Sequence, residues 1–143
     1  MRVLVINGPN MNMLGIREPD VYGRKTFSDL EAYIRKTAEL LSISVDLYQS
    51  NHEGDIVDAV QNALGEYDGI LINPAAFTHT SVAILDALKA VQLPTVEVHL
   101  TDIEKREPFR RFSYVSLYAH KTICGKGFEG YAEGLEWLKN NCS

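Results

Sequence analysis

Glu97 and His99 stand two residues apart near the end of the hydrophobic run 95–100. In an extended strand such residues point to the same face. A carboxylate beside an imidazole holds one tautomer and raises its pKa, which makes a general acid. The same pair also reads as a half-buried ion pair that only orders a strand end. Arg17 and Tyr22 share the segment 7–23. A free Tyr titrates near ~10, so roughly one molecule in a thousand is phenolate at neutral pH. A guanidinium close by favours the phenolate, so Tyr22 is a candidate general base. A surface Tyr and a solvated Arg fit the same spacing. Thr78-His79-Thr80-Ser81 opens a helical pattern, where free backbone N–H groups favour anions and hydroxyls add hydrogen bonds. Simple capping by Thr78 or Thr80 explains the hydroxyls equally well, but it does not explain His79.

Arg106, Arg110 and Arg111 form a basic cluster, in which Arg106 and Arg110 share a face if the segment is helical. One of them could hold a carboxylate bidentately, or the group is a solvated face paired with Glu104 and Glu107. Asp86 lies seven residues after His79, on the same face of the expected helix, among Ile84, Leu85 and Leu88. That apolar surround fits a subunit contact, and a simple exposed acid fits the same position. Glu97, His99 and His79 could supply three metal ligands, but no tight ligand spacing is present, so no metal is expected. Phosphate-loop and dinucleotide motifs are also missing, and no cofactor is expected.

The elements that must position these groups alternate. Val3–Ile6 reads as a buried strand, continuous in the manner of parallel sheets. The segment 7–23 is broken by Pro9, Gly15, Pro19 and Gly23 and carries the amides of Asn7, Asn10 and Asn12. A connection of this length without regular structure is usually functional, and we read it as a loop closing over a small polar substrate. A helix is expected over 26–41, with Phe27, Leu30, Ile34, Thr37 and Leu41 on one face and Thr26 or Ser28 as cap. A strand at 43–48 alternates, which suggests an edge. Helix 55–64, stopped by Gly65, strand 69–73, helix 78–91 and strand 95–100 follow. A helical turn is expected within 107–112. The fifth strand lies within 113–124, and a last amphipathic helix carries Phe128, Tyr131, Leu135 and Leu138.

This order predicts an α/β fold: a flavodoxin-like, doubly wound, five-stranded parallel sheet of strand order 2-1-3-4-5 in one domain over 1–143. In such sheets ligands bind outside the carboxyl ends of the strands, where Asn7, Asn10, Asn73, Glu97 and His99 would gather. None of the lysines lies within a strand assigned at this level, which argues against Schiff-base chemistry.

At 143 residues and 45% hydrophobic, the chain is long enough for a core without disulfides or metal. The net charge of −5 and the absence of a basic aromatic stripe argue against a nucleic-acid partner. No apolar run approaches membrane-spanning length, and the start lacks the features of a signal peptide. Cys124 and Cys142 read as reduced thiols of a cytoplasmic protein.

Five blocks then stand in register: Asn7-Gly8-Pro9-Asn10-Met11-Asn12-Met13-Leu14-Gly15; Arg17-Glu18-Pro19 with Tyr22-Gly23; Gln49-Ser50-Asn51-His52-Glu53-Gly54; Asn73-Pro74 with Thr78-His79-Thr80-Ser81; and Val96-Glu97-Val98-His99-Leu100. Together they closely resemble the type II 3-dehydroquinate dehydratases, nearly end to end. The resemblance implies a cofactor-free anti elimination of water from 3-dehydroquinate, giving 3-dehydroshikimate through an enolate. It implies Tyr22 as the base at C2, Arg17 lowering its pKa, and Asn10 holding a water on the enolate. His99, backed by Glu97, would protonate the departing C1 hydroxyl. Asn73, His79 and Arg110 would bind substrate hydroxyls, and the backbone of Leu100 and Thr101 the carboxylate. Asp86 would reach a neighbouring subunit's site in a homododecamer built as a tetramer of trimers.

The chain departs from the family pattern at Met11 and Met13, a volume-conserving change from Leu, and at Phe77, where Tyr is common. Asp102 stands where Asn is usual and would weaken anion binding if it points inward. Arg111-Phe112 replaces a polar pair. Competing readings are an FMN-binding electron carrier, which needs a hydroxyl- and Gly-rich loop after strand one, and a receiver-like signalling module, which needs an acidic pair there. The chain has amides at both places. A non-catalytic assembly protein would leave His79, Glu97 and His99 converging without purpose.

Overall fold

The computed structural model describes residues 1–16 and 18–142, and at Val21 and Tyr22 the backbone only. Strands β1 (Arg2–Asn7), β2 (Ser44–Gln49), β3 (Gly69–Asn73), β4 (Thr95–His99) and β5 (Lys121–Cys124) form one sheet of order β2-β1-β3-β4-β5. All four pairings are parallel. This is the expected α/β sheet, with alternating β2 at one edge. The register aligns Asn7 with both Gln49 and Asn73, and His99 with Cys124. Polar strand ends therefore meet along one carboxyl edge.

Burial follows the two-residue period of the strands. Val3, Val5, Leu71, Val96 and Val98 face helices α2 (Phe27–Leu41) and α5 (Glu129–Cys142). Leu4, Ile6, Ile70 and Ile72 face α3 (Glu53–Asn62) and α4 (Val82–Val91). Strands buried on both faces carry continuous apolar runs, as residues 3–6 in β1 and 70–72 in β3 do. On α5, Gly134 lets the helix approach the sheet; a Cβ there would lie 2.6 Å from Leu71 Cδ1.

Helix ends obey local chemistry. Thr26 caps α2 in a reciprocal box with Asp29: Asp29 N–H donates to Thr26 Oγ1 at 3.1 Å and Thr26 N–H to Asp29 Oδ2 at 2.9 Å. Those bonds, backbone first, hold the exposed Asp29 carboxyl below its ordinary pKa. Helix α3 begins two residues before the expected start and ends at Asn62, with Gly65 at φ +80° in the turn beyond it.

The expected helix over 78–91 is shorter. The chain leaves β3 through Pro74, takes Ala75 at φ +52°, and makes a 3-10 turn, Ala75–His79. Ser81 is extended and caps α4, accepting from Ile84 N–H at 2.9 Å. His79 and Asp86 therefore do not share a helical face, and neither Thr78 nor Thr80 caps α4. The segment 7–23 also holds more structure than expected: a 3-10 turn at Met11–Met13 and a one-turn helix α1 (Pro19–Tyr22). Lys121 opens β5, contrary to the expectation that no strand carries a lysine; it is exposed at the amino end, away from the site.

Candidate active site

At the end of β4, Glu97 is fully buried and His99 is 5% exposed. Glu97 Oε2 and His99 Nε2 make a very short hydrogen bond. A carboxylate only accepts, so Nε2 carries hydrogen and Nδ1 is left for a ligand. Hydroxyls surround the carboxylate. Ser113 Oγ donates to Oε2 at 2.7 Å, with Thr78 Oγ1 at 3.2 Å. Ser116 Oγ donates to Oε1 at 2.5 Å, and Thr122 Oγ1 lies 3.4 Å away. Burial opposes the charged carboxylate, but the bond and charge of His99 and the bonds from Ser116 and Ser113 outweigh it. The Glu97 pKa ends below its ordinary value.

Across β3, the 3-10 turn presents His79, whose Nδ1 lies 2.7 Å from the Phe112 carbonyl oxygen. The carbonyl requires Nδ1 to be the donor. Burial lowers the His79 pKa, as do the charges of His99 and Arg110, while the Phe112 bond works the other way. His79 is thus a neutral imidazole with Nε2 free to accept. Asn73 is 3% exposed and its amide is occupied: Oδ1 accepts from Ala75 N–H at 3.1 Å and Nδ2 donates to Tyr131 Oη at 3.0 Å. Tyr131 in turn donates to Asn7 Oδ1 at 2.5 Å, and burial raises its pKa strongly. Asn73 keeps one oxygen lone pair for a ligand.

The loop after β1 forms the opposite wall. Asn10 sits at φ +67°, and its N–H donates to Asn51 Oδ1 at 3.0 Å. Gln49 Nε2 donates to Gly8 O and to Asn51 Oδ1, both at 3.1 Å. The Gln49–Asn51 block is thus the tie between two loops. Gly8 crosses Pro74 closely: its N–H donates to Asn73 O at 2.8 Å, and a Cβ there would stand 2.5 Å from the Pro74 oxygen. Arg17 and the side chain of Tyr22 lie outside the described residues.

Between the walls is a pocket of about 630 Å³, its mouth included. Asn10, Asn73, His79, Leu100, Thr101 and Arg110 all line it. Arg106 lines it too, with Nη1 3.4 Å from Thr101 Oγ1. The arginine cluster is not helical beyond a 3-10 turn, Pro108–Arg110. Arg110 Nε lies 3.0 Å from Glu107 Oε2, an ion-pair distance, but its N–H points off the hydrogen-bond direction. Arg111 turns away to donate to the Arg106 carbonyl at 2.9 Å.

His99 is not itself among the residues that line the pocket. Asp86 is exposed on α4 and does not reach its own chain's pocket. Asp102 points outward: its Oδ1 accepts from Glu104 N–H at 3.0 Å, and it lines a separate groove with Ser113, Ser116 and Thr122. Among the described residues no three His, Cys, Asp or Glu side chains form a metal-binding group. No described helix is long and apolar enough to cross a membrane. Sequence reasoning missed the hydroxyls around Glu97, the Tyr131 bridge and the apolar wall of Met11, Leu14 and Ala75. Only Thr122 carried a signal, as the β5 residue beside Glu97 in the register.

Residues 1–139 match the family model for class II dehydroquinases. The chain belongs to that family. It is 50% identical over 141 residues to the 3-dehydroquinate dehydratase of Geotalea daltonii, covering 99% of this chain and 98% of that one. It is 49% identical over 140 residues to 3-dehydroquinate dehydratase 1 of Corynebacterium efficiens, covering 98% and 93%. The crystal structure of type II dehydroquinase from Butyrivibrio crossotus superposes with a TM-score of 0.95 at 44% identity, covering 96% of this chain and 97% of that one. Within the family the resemblance read from the five blocks holds over nearly the whole length.

Proposed function

We propose that this dehydroquinase-family enzyme dehydrates 3-dehydroquinate to 3-dehydroshikimate by anti elimination through an enolate. The observation that carries the reading is the buried Glu97–His99 pair beside a pocket lined by Asn10, Asn73, His79 and Arg110. Dehydrating a β-hydroxy ketone needs a base, an acid on the leaving hydroxyl, and stabilisation of an enolate. Tyr22 is the base that removes the C2 proton, and Arg17 lowers its pKa. Electrons flow into the carbonyl, and a water held by Asn10 stabilises the enolate oxygen. His99, protonated on both nitrogens, gives its Nδ1 proton to the C1 hydroxyl as the C–O bond breaks and water leaves. Glu97 stabilises the imidazolium. His79 accepts from a substrate hydroxyl through Nε2, Arg110 donates to one, Asn73 accepts through its remaining lone pair, and the Leu100–Thr101 backbone holds the carboxylate.

The enzyme acts in the cytoplasm as a homododecamer, in which Asp86, exposed on α4, completes a neighbour's site. No metal or cofactor takes part. The first test is ultraviolet absorbance of chelator-treated protein mixed with 3-dehydroquinate. The product is a conjugated enone, so absorbance rises, and borohydride leaves the rate unchanged because no imine forms. A folded protein that produces no rise overturns the reading. Light scattering should return the mass of twelve chains, and a smaller particle overturns the assembly.

A further inference from the structure

The donors around Glu97 can be ordered by proton counting. Ser113 Oγ accepts from Ser116 N–H at 3.3 Å and lies 2.5 Å from Thr78 Oγ1. Its single proton goes to Glu97 Oε2, so Thr78 donates to Ser113. Oε2 then receives His99 Nε2–H and the Ser113 hydroxyl, while Oε1 receives Ser116 closely and Thr122 only at 3.4 Å. A protonated Glu97 would have to donate: at Oε2 the His99 N–H cannot accept, and at Oε1 the Ser116 hydroxyl would have to turn its proton away. The arrangement selects the anion. Oε1 depends on one side chain above all, Ser116.

Ser116 and Thr122 are exposed and line the outer groove with Asp102, Arg111 and Cys124. No residue lining this groove lines the substrate pocket. The carboxylate is thus approached from two sides: His99 on one, hydroxyls open to solvent on the other. We propose that Ser116, seconded by Ser113, is a positioning residue that keeps Glu97 an anion, and so sets the strength of the His99 acid from outside the substrate pocket. This rests on the proposed role of His99 as acid.

The titratable groups facing Glu97 are His99 on its own strand, His79 in the turn after β3, and Cys124 on β5, a thiol pushed up to about 11 chiefly by burial. Arg110 adds positive charge on the His79 side, and Asp102 and Glu104 add negative charge at the groove. Substitution at exposed Ser116 leaves all of these in place.

The test compares Ser116→Val, Ser116→Ala and Ser116→Thr. Valine removes the donor and fills its space with methyl groups. Alanine leaves room for a groove water to donate instead, and threonine keeps the hydroxyl. Glu97 is titrated by carbon NMR of its carboxyl in free protein, and the basic limb of kcat, which the acid His99 sets, is measured alongside. Expected in Ser116→Val is an upward shift of about one pH unit in both, a tenfold change in proton affinity. The shift is smaller in Ser116→Ala and absent in Ser116→Thr. An unmoved Glu97 titration in a folded Ser116→Val overturns the proposal, and so does a moved titration with an unmoved basic limb. Failure of the wild type to turn over 3-dehydroquinate would instead overturn the proposed reaction, and the NMR titration would still decide whether Ser116 holds the anion.

Discussion

At the end of β4, Glu97 is fully buried, both its oxygens accept hydrogen bonds, and the polar groups packed around its carboxylate come from four separate segments of chain. The loop after β1, on the opposite wall, is held differently. Met13 is 41% exposed and Ile16 71%, and much of its backbone bonding is local, as Met13 N to Asn10 O and Gly23 N to Pro19 O. It carries positive φ at Asn10, Gly15, Glu18 and Gly23. One wall is complete before substrate arrives; the described residues of the other are tied to the body of the fold through Asn51, Gln49 and Asn73. A group meant to protonate must have its ionisation set beforehand, because burial and donors fix pKa. A loop meant to admit and enclose a ligand is drawn from weakly stabilised segments.

The contrast can be broken first at its rigid side. Glu97→Gln keeps the shape but removes the charge. Turnover of 3-dehydroquinate should fall by roughly 10²–10⁴, the usual worth of a positioned acid, with unchanged far-ultraviolet circular dichroism. Tyr131→Phe tests how deep the rigid side extends. It leaves Asn7 and Asn73 each short of a buried partner, and urea unfolding should show a loss of about 1–3 kcal/mol.

Gly15→Ala addresses the other wall. Its φ is +88° and a Cβ would lie 3.0 Å from Arg24 O. Strain of about 1–3 kcal/mol should reorganise the loop locally, lowering kcat/KM about tenfold while the melting temperature holds. An equal fall in melting temperature would show that the loop is as integral as β4.

Acid should separate the two effects of charge on the rigid side. The His79 pKa is lowered from 6.5, so the unfolded chain binds a proton there that the folded chain refuses. Stability therefore falls as pH drops below that value. The Glu97 pKa is lowered from 4.5; its contribution is complete above that value and disappears as pH falls through the folded one. Melting temperature should decline in two windows, and His79→Gln should remove the upper. The smallest effect belongs to Asp102→Asn. The side chain faces the outer groove, so KM should change by no more than about twofold.

The sheet was legible because its signals are local and redundant. Residues 3–6 and 70–72 are continuous apolar runs of the kind a doubly covered strand needs, and Thr26 and Ser28 both mark a helix start, of which the structure uses Thr26. The helix expected over 78–91 begins only at Val82, because Ser81 and Thr78 are both acceptable caps by composition and the structure uses Ser81. What decides is Ala75 at φ +52°, held by the Asn73 amide, and that contact is tertiary in consequence. Glu97 with His99 could be found from strand period alone. Ser113 and Ser116 could not, since irregular chain has no period and their meaning lies in a carboxylate some sixteen residues or more away. Asp102 looked threatening by sequence position, but the sense of its side chain is set by the Glu104 N–H it caps.

Gly8 bears on how such an enzyme can be recombined. Because no side chain fits between it and Pro74, the segments following β1 and β3 are mated surfaces, and Gln49 ties the segment following β2 to the same assembly. A chimera that imports one of these segments from a distant relative inherits a mismatch at the crossing. One that imports all three must also bring Tyr131 of α5, which joins Asn7 to Asn73, and the segment after β4 that completes the pocket.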